Sequence, residues 1–371
     1  MSTLRFIIAP YTKFVNEKRQ KSLHFLYSTV GREEKIGSTM PRNNGGDQNH
    51  NNVLVKIGDW GIINALRFLQ QGGVFMETSF ILSCCSTADL SLEHFGHRNI
   101  EYVPFHYFVN GEHKFDDLWQ SMSPEDFYTA MAEGADTKTS QVNTEDFCEY
   151  FRCLLRKGKD VLHVCLSSGL SGTFNSARLA TEMLEEEFPN QKVYLVDSLG
   201  ASSGFGLLMD KLADLRDEGK SAEEVALWAE QNRLHLHHWF FSTDLTFYVK
   251  GGRISKASGW FGTILKICPL LNMDNNGKLV PRFKIRGKNN VINAIVDKME
   301  ENAQDGLNYN GKCYICQSAC MEDAQAVAAL VEQRFPNLNG KVEIYPIGPT
   351  IGSHTGPGTV ALFFWGNERI D

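Results

Sequence analysis

The sequence predicts an α/β fold of two domains: a parallel sheet flanked by helices, then an α+β domain with a mainly antiparallel sheet. Three observations predict it. Residues 161–166 and 192–196 are short apolar runs, each followed by a turn of small polar residues and then by helical periodicity. Two such units in succession imply a parallel sheet with right-handed crossovers. Beyond His235 the composition changes to strand-rich segments and single helices, with a hairpin signature at Asn275-Asn276-Gly277. A chain of 371 residues is also long enough to close two cores.

Residues 1–75 stand apart. The stretch 42–52 (RNNGGDQNHNN) is polar, Asn-rich and aperiodic, and reads as loop or disorder. Gln70-Gln71-Gly72-Gly73 ahead of Met76 can be written by purine-rich codons as a ribosome-binding site. The expectation is that Met76 is the natural initiator and 1–75 a mis-assigned extension, which the mass of the natively expressed protein tests. A partner-binding tail is the rival reading. The first domain is then 76–234 and the second 235–371.

Within the first domain, residues 80–84 form a strand, 86–90 a turn, and 100–109 an extended segment around Pro104. Ser123-Pro124-Glu125 supplies an N-cap, a proline at the first helical position and an acid in the first turn, opening a helix to about Ala132. Thr139-Ser140-Gln141 falls in a loop ahead of an Asn143 or Thr144 cap, with a helix to about Lys157. Residues 161–166 are the central buried strand. After it, Phe174, Ala177, Thr181, Leu184 and Phe188 repeat at helical spacing. Residues 192–196 are the next strand, 200–206 a small-residue turn and 207–215 a helix. In the second domain, 239–249 is strand-rich, and 264–273 with 278–285 form the hairpin. Then come a helix at 291–302, a strand at 313–317, a helix at 321–335, and a strand at 342–347 leading into the Gly-rich turn 348–358.

The chemistry concentrates in the turn 165–177 (CLSSGLSGTFNSA). Glycines there let backbone N–H groups approach a ligand, and the first turn of the following helix offers unpaired donors and a positive dipole end. This suits an anion. Ser168, Ser171, Thr173 and Ser198 all fall beyond the carboxyl ends of the parallel strands, where such sheets hold ligands. Ser140 adds a hydroxyl from the Thr-Ser-Gln loop and Gly252 a small residue from the Gly-Gly turn. Neither a nucleotide P-loop nor a G-x-G-x-x-G after a strand is present. Thr173 stands where a nucleophile elbow needs its second glycine, which disfavours a serine hydrolase.

Composition narrows the class further. The chain is 42% hydrophobic and 22% charged with a formal net charge of -7, which argues against general nucleic-acid binding. No apolar run is long enough to span a bilayer and no signal-peptide core is present, so no integral membrane segment is expected. Nine scattered cysteines suggest reduced thiols in a cytoplasm. Cys313, Cys316 and Cys320 lack a fourth ligand, and a strand turns Cys313 and Cys316 to opposite faces, so no metal is expected. The tract Leu234-His235-Leu236-His237-His238 reads as a wet strand entrance rather than a ligand set.

Seven ordered motifs resemble the DegV family of bacterial fatty-acid-binding proteins: Thr139-Ser140-Gln141, LSSGLSGTFNSA (166–177), Val196-Asp197-Ser198, VKGGRIS (249–255), LKICPLL (265–271), Arg286-Gly287-Lys288 and GPTIGSHTGPG (348–358). The likeness runs from about Met76 to the end of the chain. It implies two domains clasping a long-chain acyl group with its carboxylate at their interface. The family's hydroxyl ligands fall on Thr139 and Ser171, with a backbone donor at Gly172 and with Arg253 and His354 ordering the site from the second domain. It also implies no catalysis and no cofactor beyond the bound fatty acid. The partner it implies is a separate dihydroxyacetone-kinase-like fatty acid kinase, met through Arg286 and Lys288. One departure stands out: family members usually carry Asp-Ser-Thr where this chain has Cys85-Ser86-Thr87. Two other readings remain: a serine-dependent acyl hydrolase using Ser171 or Ser168 with His354, or a carrier of another lipid such as an isoprenoid.

Overall fold

The computed structural model describes residues 78–255 and 267–369. The readings for 1–75 and for residues 264–266 at the start of the hairpin lie outside the described residues.

Strands β1 (Ile81–Cys85), β2 (Ile100–Val103), β6 (Val161–Cys165) and β7 (Val193–Asp197) form a parallel sheet in the order β2-β1-β6-β7. β6 is buried at all five positions, as a central parallel strand covered on both faces must be. Helices α3 (Thr144–Leu155) and α4 (Thr173–Leu184) pack together beside it. Asn143 caps α3 through a reciprocal capping box with Asp146, and Ser123 caps α2 (Pro124–Ala132) by accepting from the Asp126 N–H.

A second sheet has six strands: β8 (Leu236–Ser242), β9 (Ile267–Met273), β10 (Leu279–Arg286), β11 (Tyr314–Gln317), β12 (Glu343–Pro346) and β13 (Thr359–Trp365), in the order β10-β9-β8-β13-β11-β12. Every pairing is antiparallel except β11 with β12. Helices α8 (Lys288–Asn302) and α9 (Met321–Arg334) close a core on one of its faces. Cys313 belongs to that core and Cys316 to the larger one on the opposite face, so the strand does split them.

Several expectations are corrected. Thr139 and Ser140 lie in a strand, β5 (Thr137–Ser140), rather than in a loop. With β3 (His106–Val109) and β4 (Glu112–Phe115) it makes a third, antiparallel sheet in the order β4-β3-β5, with Tyr107 opposite Thr139. Residues 202–206 are the first turns of helix α5 (Ser202–Asp217), because complete burial between the sheets overrides the weak helical propensity of Ser and Gly. A short helix α7 (Thr246–Lys250) follows β8 where the reading ran on as strand. The Gly-rich segment after β12 contains helix α10 (Pro349–Thr355), started by proline at its first position. Helices α1 (Leu92–His97) and α6 (Ala222–Asn232), together with β13, were not read from the sequence.

The hairpin turn between β9 and β10 docks on the polar turn after β6. Asp274 accepts from the Asn276 and Lys278 amides at 3.0 and 2.7 Å, and Gly277 takes a φ of +68° that favours glycine. Its carbonyl then accepts a 2.8 Å hydrogen bond from Ser167 Oγ.

Candidate functional site

A cavity of about 360 Å³ opens where the polar turn after β6, strand β5, helix α10 and the six-stranded sheet meet. That volume lies within the roughly 300–1,000 Å³ usual for small-molecule sites. Much of its wall is apolar: Phe105, Leu166 and Leu170 from the first half of the chain, and Phe240, Met273, Leu279, Ile347, Ile351 and Phe363 from the second.

Against this wall the fold gathers Thr139, Ser171, Gly172, Arg253 and His354, with Gln141 beside them. Thr139 is held by its ladder to β3, and its Oγ1 lies 2.7 Å from His354 Nε2. His354 comes from α10. Its Nδ1 is buried and has no hydrogen-bond partner among the described residues. Burial, with the Arg253 charge adding to it, pushes the imidazole pKa down to about 3, so the ring is neutral at physiological pH. Ser171 Oγ donates to Thr173 Oγ1 at 3.1 Å and accepts from the Thr173 N–H. Gln141 donates through Nε2 to Ser176 at 3.0 Å, and its Oε1 lies over the α-carbon of Gly172.

Among the described residues, Arg253 is the one permanent charge in the lining. Its guanidinium donates to the carbonyls of Gly251 at 2.6 Å and Leu170 at 3.1 Å, and among the described residues no carboxylate pairs with it. Burial pulls its pKa down, the signature of a cation short of countercharge. Gly251 supports both Arg253 and the neutral His354. Its carbonyl accepts from Arg253, and its bare α-carbon lets His354 Nδ1 pack against it where a Cβ would collide.

The structure sets other sequence candidates outside the cavity lining, and the reason is local. Ser198 Oγ bonds the carbonyl and amide of Gly200, closing its own turn. The Ser168 amide is taken by Asp197, and Ser140 Oγ turns to the carbonyl of Gln141. Thr173 reaches the site only by holding Ser171, and Gly252 faces open space. Arg286 and Lys288 are exposed at the β10–α8 junction, Lys288 paired with Asp323 at 2.7 Å.

Sequence reading missed Gln141 as a lining residue, Gly251, and a second polar group of Ser202, Thr350 and His238. Gln141 and Gly251 sat inside quoted motifs. Ser202 and Thr350 face two buried carboxyls: Asp89, raised well above the carboxylate range by burial and by Asp116, and Asp116, raised by burial to about 6. The hydrolase geometry is not formed. His354 faces Thr139 rather than a serine, and no acid orients its other nitrogen among the described residues.

The neutral His354 makes a pH prediction. Its folded pKa lies below the ordinary value of about 6.5, so the unfolded chain binds the proton first and stability is lost as pH falls from about 6.5 toward 3. Between pH 7 and 4.5 this costs about 2 kcal/mol. Asp89 and Asp116 act in the opposite sense, so the comparison is between wild type and His354→Gln. The variant's urea midpoint is expected to fall less over that interval, and equal slopes would refute the assignment.

The family profile described as "Uncharacterised protein, DegV family" matches residues 85–367. A DegV domain-containing protein of Clostridium perfringens is 32% identical over 291 residues, covering 78% of this chain and 98% of its own. A fatty acid-binding protein of Thermotoga maritima is 32% identical over 283 residues, covering 75% and 94%. The solved structure described as fatty acid binding of a DegV family protein from Thermus thermophilus superposes with a TM-score of 0.69 at 28% identity, covering 78% of this chain and all of that one. DegV proteins thus include fatty-acid binders with this α/β architecture of one parallel and one mainly antiparallel sheet. On the profile match and on relatives that align over nearly their whole length, this chain belongs to the DegV family.

Proposed function

We propose that this chain binds one long-chain fatty acid, carboxylate at Arg253 and the Thr139 and Ser171 hydroxyls, acyl chain along the apolar wall. The observation that carries the reading is Arg253, a partly buried cation without a carboxylate partner among the described residues, set in a mostly apolar cavity. Such a site suits an anionic head group that carries a hydrocarbon tail. A neutral His354 donating Nε2–H to Thr139 Oγ1 leaves the threonine O–H for the ligand, and Ser171 needs only to turn from Thr173. The Gly172 N–H is the backbone donor in this scheme. Each methylene buried contributes about 0.8 kcal/mol, so chain length supplies affinity and the polar group supplies orientation.

In this reading the protein has no turnover of its own. It presents the carboxylate to a separate ATP-dependent fatty acid kinase and shields the acyl-phosphate product from water. Exposed Arg286 and Lys288 form the partner surface. Two lobes, 76–234 and 235–371, hold the ligand between them. Among the described residues no helix is long and apolar enough to cross a membrane, and all nine cysteines are free, which fits a reducing cytoplasm.

The test is mass spectrometry of organic extracts from purified wild type and Thr139→Ala/Ser171→Ala. One equivalent of fatty acid is expected from wild type. The variant should keep its fold and hold the lipid about tenfold more weakly, because Arg253 still supplies the charge. Arg286→Glu/Lys288→Glu should keep its lipid and lose kinase-dependent acyl-phosphate formation. A lipid-free wild type that hydrolyses chromogenic acyl esters would sink the carrier reading.

A further inference from the structure

Strands β1 and β6 are neighbours at the centre of the parallel sheet, with Ser83 opposite His163 and Cys84 opposite Val164. The chain leaves β1 for β2 on one side and β6 for β7 on the other. The gap between their carboxyl ends is therefore the point where strand order reverses, the place such sheets offer to ligands. Immediately behind it lie Cys85, His163 and Cys165, each 0% exposed. One ligand atom from each lies within 4.8 Å of the other two.

We propose that Cys85, His163 and Cys165 form a binding site for a thiophilic closed-shell cation, Zn²⁺ or Cu⁺, that clasps the two central strands. Four features of the structure converge on it. The first is spacing: Cys85 Sγ lies 3.8 Å from His163 Nε2. Metal arms of about 2.3 Å to sulfur and about 2.0 Å to nitrogen at a tetrahedral angle place those atoms about 3.5 Å apart. The second is orientation. Ser83 Oγ engages His163 Nδ1 at 2.9 Å and is itself held by Tyr150 OH at 2.6 Å, which leaves Nε2 to face the sulfurs.

The third is the sulfur environment: Cys85 Sγ, Cys165 Sγ and the His163 ring nitrogen sit together within 4.8 Å, all shut off from solvent. The fourth is charge. Phe147, Phe151 and Tyr150 ring His163, and Cys85 and Cys165 are fully buried; two thiolates there would be costly alone, and a bound cation cancels one or both charges. Cys84 points to the other face of the sheet and cannot join the set. Loading releases thiol protons to solvent as metal–sulfur bonds form. The cation would pin the strand ends from which the turns 86–90 and 166–172 depart. None of this depends on what occupies the cavity.

The experiment uses the full-length chain with Cys153→Ser throughout, since Cys153 is exposed. Reduced, demetallated protein is titrated with Zn²⁺ in one arm and Cu⁺ in the other against a chromophoric chelator. The expected result is one equivalent retained per chain in at least one arm, with proton release. Cys85 and Cys165 should then be shielded from alkylation in a peptide map taken in urea below the unfolding midpoint, where local opening exposes these buried thiols in the metal-free chain. Cys85→Ser/Cys165→Ser should lose the equivalent, and His163→Gln should bind at least tenfold more weakly. Should the double variant fail to fold, the alkylation map of the parent chain decides alone. Retention in neither arm, retention undiminished in a folded variant, or metal that leaves Cys85 and Cys165 as reactive as before would overturn the proposal. So would a Cys85–Cys165 disulfide peptide from protein isolated without reductant.

Discussion

Asp210→Ala is expected to lower the unfolding free energy by about 3–5 kcal/mol, the cost of removing one partner from a buried ion network. Asp210 lies on α5, 1% exposed. His94 Nε2 and Arg98 Nε from α1 approach Oδ1 at 3.2 and 3.1 Å, and Lys312 just before β11 pairs with Oδ2. Burial alone would raise the carboxyl pKa, but hydrogen bonds from His94 and Lys312 and the charge of Arg98 outweigh it and hold the group well below the usual range. Because α5 packs on β1 and also on β8, β11 and β13, the loss loosens both sheets at once. The pH signature follows from the sign. A depressed carboxyl contributes fully above about pH 4 and loses that contribution as pH falls through its folded value. Urea midpoints of wild type and Asp210→Asn should differ by a constant amount from pH 5 to 8 and converge below pH 4. A difference under 1 kcal/mol at pH 7 would show the network to be ornamental.

Gly251→Ala is expected to weaken fatty acid retention about a hundredfold, or about 2.7 kcal/mol, though the residue contributes no donor to the ligand. Its backbone is ordinary, with φ of −77°, so alanine costs nothing conformationally. The effect is steric. The new methyl group occupies the place of His354 Nδ1, and the ring must swing away from Thr139 or the 251–253 turn must lift. In the second case Arg253 leaves as well, since its guanidinium rests on the Gly251 carbonyl. Gly172→Ala is the informative control. There a Cβ would meet only the Gln141 amide, the far end of a side chain that can turn. Lipid quantified from both proteins checks the claim, and equal content would refute it.

What the sequence disclosed followed physical range. Strands β1, β6 and β7 were legible because buried parallel strands are short continuous apolar runs, and the β9–β10 hairpin because Asn-Gly turns carry their own geometry. β5 was not, since Thr-Lys-Thr-Ser becomes a strand only through its partner some thirty residues earlier. β13 (TVALFFW) is apolar with no alternation, yet it sits between β8 and β11 at the middle of its sheet. The helix α6 did leave a signal, the Ser221 and Glu224 capping box. In the site, Ser171 and Ser198 look equivalent in sequence. Only the path of the chain shows that one hydroxyl faces the cavity while the other is consumed by its own turn.

The cavity wall draws on residues from Phe105 to Phe363, and β8 finds its neighbour β13 more than a hundred residues later. During synthesis, therefore, no pocket exists until the segment carrying β13 has left the ribosome. Until then Phe105, Leu166 and Leu170 lack the partners that will cover them, and such late, long-range closure is slow and exposed to aggregation. A ligand arriving at the moment of closure binds only the finished fold and draws the chain toward it by mass action, by RT ln(1 + [L]/Kd). Availability of the ligand would then govern how much of this protein a cell accumulates as well as how much cargo it carries.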